Sequence, residues 1–222
     1  MPADEQVLVI ERRVFEQAGA FQGITFDTRG YLDRFFVEGV PRFVPRAAAE
    51  DDPSLKQLIP YVVLSCGGRV LSYVRGSRAG EKRLVGQRSI GIGGHINPTD
   101  DLPLFADPRQ TYLAAVEREV AEEICVESPH TDRIAALIND DDSAVGRVHL
   151  GIVHHWRLET PAVRKREQMI TRMAFLTLDE LRAVRDTMET WSSICLDHVH
   201  ELLGGEHEAA ARPSAASTHP AQ

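Results

Sequence analysis

The apolar positions of this chain change their period along its length. Val7-Leu8-Val9-Ile10 is a short continuous run that predicts a strand. From Phe15 to Pro53, aromatics, glycines and charges mix with no sustained period. That stretch predicts an irregular segment, packed onto the core by Phe35, Phe36, Phe43 and Val44. Leu58 to Cys66 is apolar and rich in β-branched side chains, Gly67-Gly68 marks a turn, and Arg69 to Arg75 alternates. Together they predict a hairpin. A polar loop, Gly76 to Arg83, separates it from Ser89-Ile90-Gly91-Ile92 and the turn Gly93-Gly94-His95.

Residues 96–108 carry Pro98, Pro103, Pro108 and several Asp, and read as a loop. From Arg109 to Cys125 the period becomes helical: Leu113, Val116, Val120 and Ile124 recur every three or four positions, giving one apolar stripe. Strands are expected over Ile134–Ile138, Arg147–Leu158 and Met173–Leu176, with Asn139–Ser143 as a solvated polar turn. Thr177 to Glu180 has the T-x-x-E form of a capping box and opens a helix. A further helix covers Trp191–Leu203, and Gly204-Gly205 ends it. The remaining residues, rich in Ala, Ser, Pro and His, predict a disordered tail. The expected organisation is an N-terminal segment (1–55), one domain (56–203) and the tail (204–222).

Composition narrows the function classes. With 222 residues, 43% of them hydrophobic, the chain can bury a sizeable core. A net charge of −8 speaks against a broad basic face for nucleic acid. Cys66, Cys125 and Cys195 are odd in number and widely spaced, so neither a disulfide framework nor a zinc ribbon is visible. Residues 1–6 are acidic where a signal peptide would be basic, and Val7–Ile10 is too short for a signal core or a membrane span. The cytoplasm is the expected location.

The chemistry concentrates in Arg118-Glu119-Val120-Ala121-Glu122-Glu123. At 100° per residue the three glutamates fall within an arc of about 100° that borders the apolar stripe. Glu119 repels Glu122 and Glu123, and the negative end of the helix dipole opposes all three. Arg118, as an i,i+4 partner for Glu122, is the one cation in place to relieve them. A divalent cation resolves the conflict, since Mg²⁺ and Mn²⁺ take hard oxygen ligands. Upstream, Gly93-Gly94 lets a main chain approach a ligand closely.

Strand, Gly-Gly, loop and acidic helix in that order resemble the Nudix hydrolase family, whose box reads G-x5-E-x7-R-E-U-x-E-E-x-G-U with U apolar. Arg118, Glu119, Val120, Glu122, Glu123 and Val126 match its second half. The resemblance implies an α/β fold, an α/β/α sandwich with a mixed β-sheet, and Mg²⁺- or Mn²⁺-dependent cleavage of a diphosphate linked to another moiety. It implies Glu119, Glu122 and Glu123 as metal ligands, joined by the carbonyl of Gly94, with Arg118 orienting the cluster. Three positions depart from the box. Its glycine falls on Leu104, while Gly94 stands twenty-four residues before Arg118, so the loop is longer by about ten residues. Its first glutamate, which supports the arginine, is Gln110, and its late glycine is Cys125. The wider chain, through Lys56–Tyr61, Ser89–Asn97 and Val145–Gly151, resembles a bacterial branch of the family with no defined substrate.

Nudix enzymes often use a further glutamate from a loop as base or extra ligand. Glu167 matches by position; an ordinary loop residue among basic neighbours is the equal alternative. Asp140–Asp142 read as a solvated turn. Arg75, Arg78, Lys82 and Arg83 either bind substrate phosphates or form a solvated loop. His95 either lines the pocket or stabilises the turn. His154 and His155 face opposite sides of a strand, which predicts one core and one surface histidine. The partner expected is a small phosphorylated substrate, a nucleotide derivative, with the N-terminal segment free to act as a lid or homodimer interface. Two alternatives stand beside the hydrolase: a non-catalytic nucleotide-binding sensor, and an isopentenyl diphosphate isomerase-like enzyme. The latter needs a pocket cysteine and histidine ligands, which the sequence alone does not place.

Overall fold

The computed structural model describes residues 5–76, 86–100, 107–166 and 170–204. In chain order its elements are β1 (Gln6–Glu11), α1 (Arg12–Gly19), β2 (Gly23–Thr25), α2 (Arg29–Phe35), β3 (Arg42–Pro45) and α3 (Arg46–Asp51). The hairpin β4 (Leu55–Cys66) and β5 (Arg69–Arg75) follows, then β6 (Arg88–Ser89), β7 (Gly91–Ile92) and the helix α4 (Pro108–Glu123). Next come β8 (Ile124–Val126), β9 (His130–Asn139), β10 (His149–Leu158), β11 (Val163–Lys165) and β12 (Ile170–Leu176). Three short helices close the described chain: α5 (Leu178–Ala183), α6 (Thr190–Asp197) and α7 (Val199–Leu202).

The main sheet runs β12-β5-β4-β10-β9-β2, with β1, β3, β6 and β7 attached at its margins. Its centre is the parallel pair of β4 and β10, in register from Gln57 opposite His149 to Ser65 opposite Arg157. The other pairings are antiparallel, so the sheet is mixed. A strand covered on both faces needs apolar side chains at every position, which is why β4 reads as a continuous run. Leu58, Val62 and Leu64 point to a core shared with α1, α2 and α4. Tyr61 and Val63 point to a core shared with α5, α6 and α7. The result is the expected α/β/α sandwich.

Double coverage also corrects the histidine pair. His154 and His155 do face opposite sides of β10, but both are buried. His154 Nε2 lies 2.6 Å from the Tyr112 hydroxyl of α4, and its Nδ1 is 2.7 Å from Asp132. His155 Nε2 lies 2.8 Å from Ser65 Oγ on the other face. There is no surface side for either ring to take.

Two further expectations change. The stretch read as irregular holds three helices and two strands, each of eight residues or fewer. Elements that short show no sustained period; in α1 the apolar face is only Val14, Phe15 and Ala18. The turn Asn139–Ser143 is not a solvated one. Asp140 is buried, accepting from Gln22 Nε2 at 3.1 Å and Ser143 Oγ at 2.7 Å. Asp141 pairs with Arg12 at 2.9 Å and with the buried Lys56 ammonium at 2.8 Å. Burial pulls the Lys56 ammonium down to about 8, with Asp141 opposing. Among the described residues no helix is long and apolar enough to cross a membrane.

Candidate functional site

Asp107 caps α4 by accepting from the Arg109 backbone at 2.9 Å, and Pro108 opens the helix without wasting a donor. Tyr112, Ala115, Val116 and Val120 bury one face of the helix. The opposite edge carries Glu119, Glu122 and Glu123 into a cavity of about 700 Å³, and Gly93, Gly94, His95 and Arg75 line it as well. Of the two glutamates paired with Arg118, Glu119 is the more enclosed, its side chain 12% exposed against 54% for Glu122. Burial pushes the Glu119 carboxyl up to about 7, although Arg118 holds it down.

Gly94 packs tightly against this carboxylate. A Cβ placed on Gly94 would stand 2.3 Å from Glu119 Oε2, and one on Gly93 would stand 1.8 Å from the Pro60 carbonyl oxygen of β4. The two glycines let the turn after β7 squeeze between the sheet and α4. Glu119, Glu122 and Glu123 bring hard oxygens to the cavity, the donor type that Mg²⁺ or Mn²⁺ takes, but among the described residues they are not a group whose ligand atoms lie within 4.8 Å of one another.

Arg118 ties the pieces together. Its Nε and Nη2 donate to the two oxygens of Asp100 at 2.6 and 2.9 Å, and Nη2 also donates to the His95 carbonyl at 2.9 Å. Nη1 reaches Glu119 at 2.8 Å and Glu122 at 3.3 Å. The Asp100 bonds raise the guanidinium pKa further. Asp100 is buried, while Gln110 is exposed. The carboxylate that supports the arginine therefore comes from the lengthened loop, not from the helix. The turn Asn97-Pro98-Thr99-Asp100 fixes it, with the Asn97 backbone donating to Asp100 Oδ2 at 2.9 Å.

No sequence pattern points to Glu189, at the start of α6. Its Oε1 accepts from Tyr61 at 2.9 Å, Ser89 at 2.6 Å and Ser192 at 3.0 Å, and its Oε2 is 3.7 Å from Arg75. This buried carboxylate holds Arg75 against the cavity wall. His95 faces His149, and its pKa falls well below the usual value through burial, then through Arg46 and His149. Arg78, Lys82, Arg83 and Glu167 lie outside the described residues. Cys125 lies in β8, just past the helix. No cysteine is among the described residues lining the cavity, whereas two histidines are, which answers half of what the isomerase alternative needs.

A mixed α/β sandwich with this glycine turn and acidic helix defines the class of a Nudix-type hydrolase. No family model matches the chain. Protein YmaB of Bacillus subtilis (strain 168) is 34% identical over 204 residues, covering 87% of this chain and 97% of that protein. The crystal structure of Tm1382, assigned to the Nudix hydrolases, matches with a TM-score of 0.74 and 32% identity over 89% of this chain and all of its own. A bifunctional NMN adenylyltransferase/ADP ribose pyrophosphatase from Francisella tularensis, solved with AMP and a manganese ion, shares the fold at a TM-score of 0.50 and 13% identity. It covers 67% of this chain and 42% of its own. The chain belongs to the Nudix hydrolase family. It is a hydrolase acting on acid anhydrides.

Proposed function

We propose that the chain is a divalent-metal-dependent hydrolase that cleaves the diphosphate linkage of a nucleoside diphosphate joined to another moiety. The observation that carries this is the close approach of Gly94 to Glu119, where a Cβ would stand 2.3 Å from the carboxylate. Glu119, Glu122, Glu123 and the Gly94 carbonyl would hold Mg²⁺ or Mn²⁺. Bound there, the ion supplies a Lewis acid for a phosphoryl oxygen and lowers the pKa of an attacking water. Arg118 keeps Glu119 and Glu122 in place through its bonds to both. Arg75 meets the substrate phosphates, with Arg83 and His95 as further contacts and Glu167 as the base. The cavity is of a size for a nucleotide derivative, and the Francisella relative of the fold was solved with AMP. Residues 56–203 form the hydrolase domain in this reading, and residues 1–55 pack on it.

The test is a panel of nucleoside triphosphates, dinucleoside polyphosphates and nucleotide sugars, assayed with Mg²⁺ and Mn²⁺. Turnover of at least one substrate should require metal and fall by about 100-fold or more in Glu122→Gln, the cost of losing a preorganised electrostatic partner. Unchanged turnover in that variant would overturn the assignment. Tight nucleotide binding with no hydrolysis across the panel would favour the sensor, and a rearranged diphosphate product the isomerase.

A further inference from the structure

One residue beyond Gly94, three donor atoms converge that have no part in holding the glutamate-bound ion. His95 Nε2 and His149 Nε2 are 3.3 Å apart. Glu50 Oε1 is 4.0 Å from the first and 3.8 Å from the second. The three come from separate places: Glu50 from α3, His95 from the turn after β7, and His149 from the first position of β10. Among the described residues this is the group of histidine, cysteine and acidic side chains whose ligand atoms lie close enough to share an ion.

The spacing is that of a metal site. With bonds of 2.0–2.2 Å to nitrogen and oxygen, the ligand atoms of a tetrahedral zinc ion stand about 3.3–3.5 Å apart. The histidine pair is already at that separation, and the Glu50 oxygen needs a shift of about half an ångström. The His149 ring is oriented for the task. Its Nδ1 lies 2.6 Å from the Val145 carbonyl, which can only accept, so Nδ1 carries the proton and Nε2 offers its lone pair. A ligating histidine anchored through its other nitrogen to a carbonyl is the usual outer support of such sites.

Charge and ligand type agree with this. Arg46 Nε is 3.5 Å from Glu50 Oε1, and Arg46 Nη1 is bonded to Glu5 at 2.9 Å, so one cation faces two carboxylates. Two imidazoles and one carboxylate suit zinc or a neighbouring transition ion and are poor ligands for magnesium, which takes oxygen.

We propose that Glu50, His95 and His149 form a second metal site, for zinc or a similar transition ion, which clips α3 onto the cavity wall. Three protein ligands leave one coordination position open, and both histidines line the cavity, so that position faces the substrate space. The site stands whether or not the glutamate-bound ion does, because it shares no ligand with it.

Full-length chain stripped with a chelator is titrated with Zn²⁺ under excess Mg²⁺, and bound zinc is counted by equilibrium dialysis; Co²⁺ replaces it as a spectroscopic probe. One Zn²⁺ per chain should bind, with a tetrahedral Co²⁺ spectrum carrying nitrogen ligands. Glu122→Gln should keep it. His149→Gln and Glu50→Gln should each weaken it by at least about 100-fold, the upper end for loss of even an outer partner. Glu50 lies on a short helix and is partly exposed, so its variant folds if His149→Gln does not, and a thermal melt records both. No stoichiometric zinc in the wild type, or zinc lost in Glu122→Gln and kept in Glu50→Gln, overturns the site. Loss of turnover in Glu122→Gln is read separately, so either conclusion can fail alone.

Discussion

Gly94→Ala separates fold from chemistry at one atom. The added methyl would start 2.3 Å from Glu119 Oε2 and 2.7 Å from its Cδ. An ordinary contact is near 3.5 Å, so the carboxylate must retreat by about 1 Å. The movement is cheap for the fold, because the atoms displaced are the free end of a side chain. It is expensive for the proposed magnesium site, since that ion demands near-ideal octahedral geometry at about 2.1 Å. A misplacement of that size costs about 100-fold in kcat. Gly93→Ala is the control: its methyl would meet the Pro60 carbonyl oxygen at 1.8 Å, and main chain in the middle of β4 cannot retreat. That variant should lose about 1–3 kcal/mol or more, a fall of several degrees in Tm. Turnover of the best panel substrate, Mn²⁺ affinity by electron paramagnetic resonance and a thermal melt read both variants. Gly94→Ala with turnover within twofold of wild type, or with the larger loss of Tm, would refute the reasoning.

Three other outcomes follow from the geometry. Asp100→Asn removes the charge that holds Arg118 by two bonds, so kcat should fall about 10–100-fold with KM little changed, and Asp100→Glu should recover part of it; an unchanged kcat with a lowered Tm would leave Asp100 a merely structural residue. Lys56→Met strips four acceptors of a buried ammonium, among them Asn139 at 2.6 Å and Asp141 at 2.8 Å, and should cost about 3 kcal/mol, near the low end for a broken buried pair because Asp141 keeps Arg12. A Tm within 2 °C of wild type, against about 6–12 °C expected, contradicts it. His155 is held down to about 4 by burial, with Arg133 and Arg157 adding to it, below its usual 6.5. The unfolded chain therefore binds the extra proton first, and stability present above pH 6.5 is lost as pH falls toward 4, by about 2–3 kcal/mol at pH 4.5. Urea denaturation at pH 7 and 4.5 should show that loss shrink in His155→Gln; an equal loss in both proteins would sink the attribution.

What was legible in the sequence was whatever repeats locally. The strand β4 announced itself because both its faces are covered, and α4 because its stripe runs through four turns. The three glutamates were legible because like charges at i+3 and i+4 are a local cost that asks for a local cause. The N-terminal elements were not, since six to eight residues hold too few turns to show a period. The buried polar turn at Asp140 was not either: its partners, Gln22, Lys56 and Arg12, are far away in the chain and bring no pattern to the turn itself. The same holds for Glu50, His95 and His149, which three different elements bring together.

The box departures have a shared physical reading. Arg118 needs a carboxylate to fix its guanidinium, and in this chain that carboxylate is Asp100, eighteen residues earlier, rather than position 110. The same long loop that breaks the glycine spacing, running from Gly94 toward Pro108, carries Asp100. In this chain the loop brings its own acid to the arginine, and the helix position holds an exposed glutamine. Nothing in a box-by-box comparison shows this, because the comparison asks which residue stands at a position, whereas the arginine responds only to which oxygen stands 2.6 Å from its Nε. A departure from the box at position 110 thus leaves Arg118 with a carboxylate partner. It also makes the double variant informative: placing a glutamate at position 110 should rescue Asp100→Asn only if the side chain can turn inward from its exposed place on α4, and failure to rescue would show that the loop, not the helix, now owns the contact.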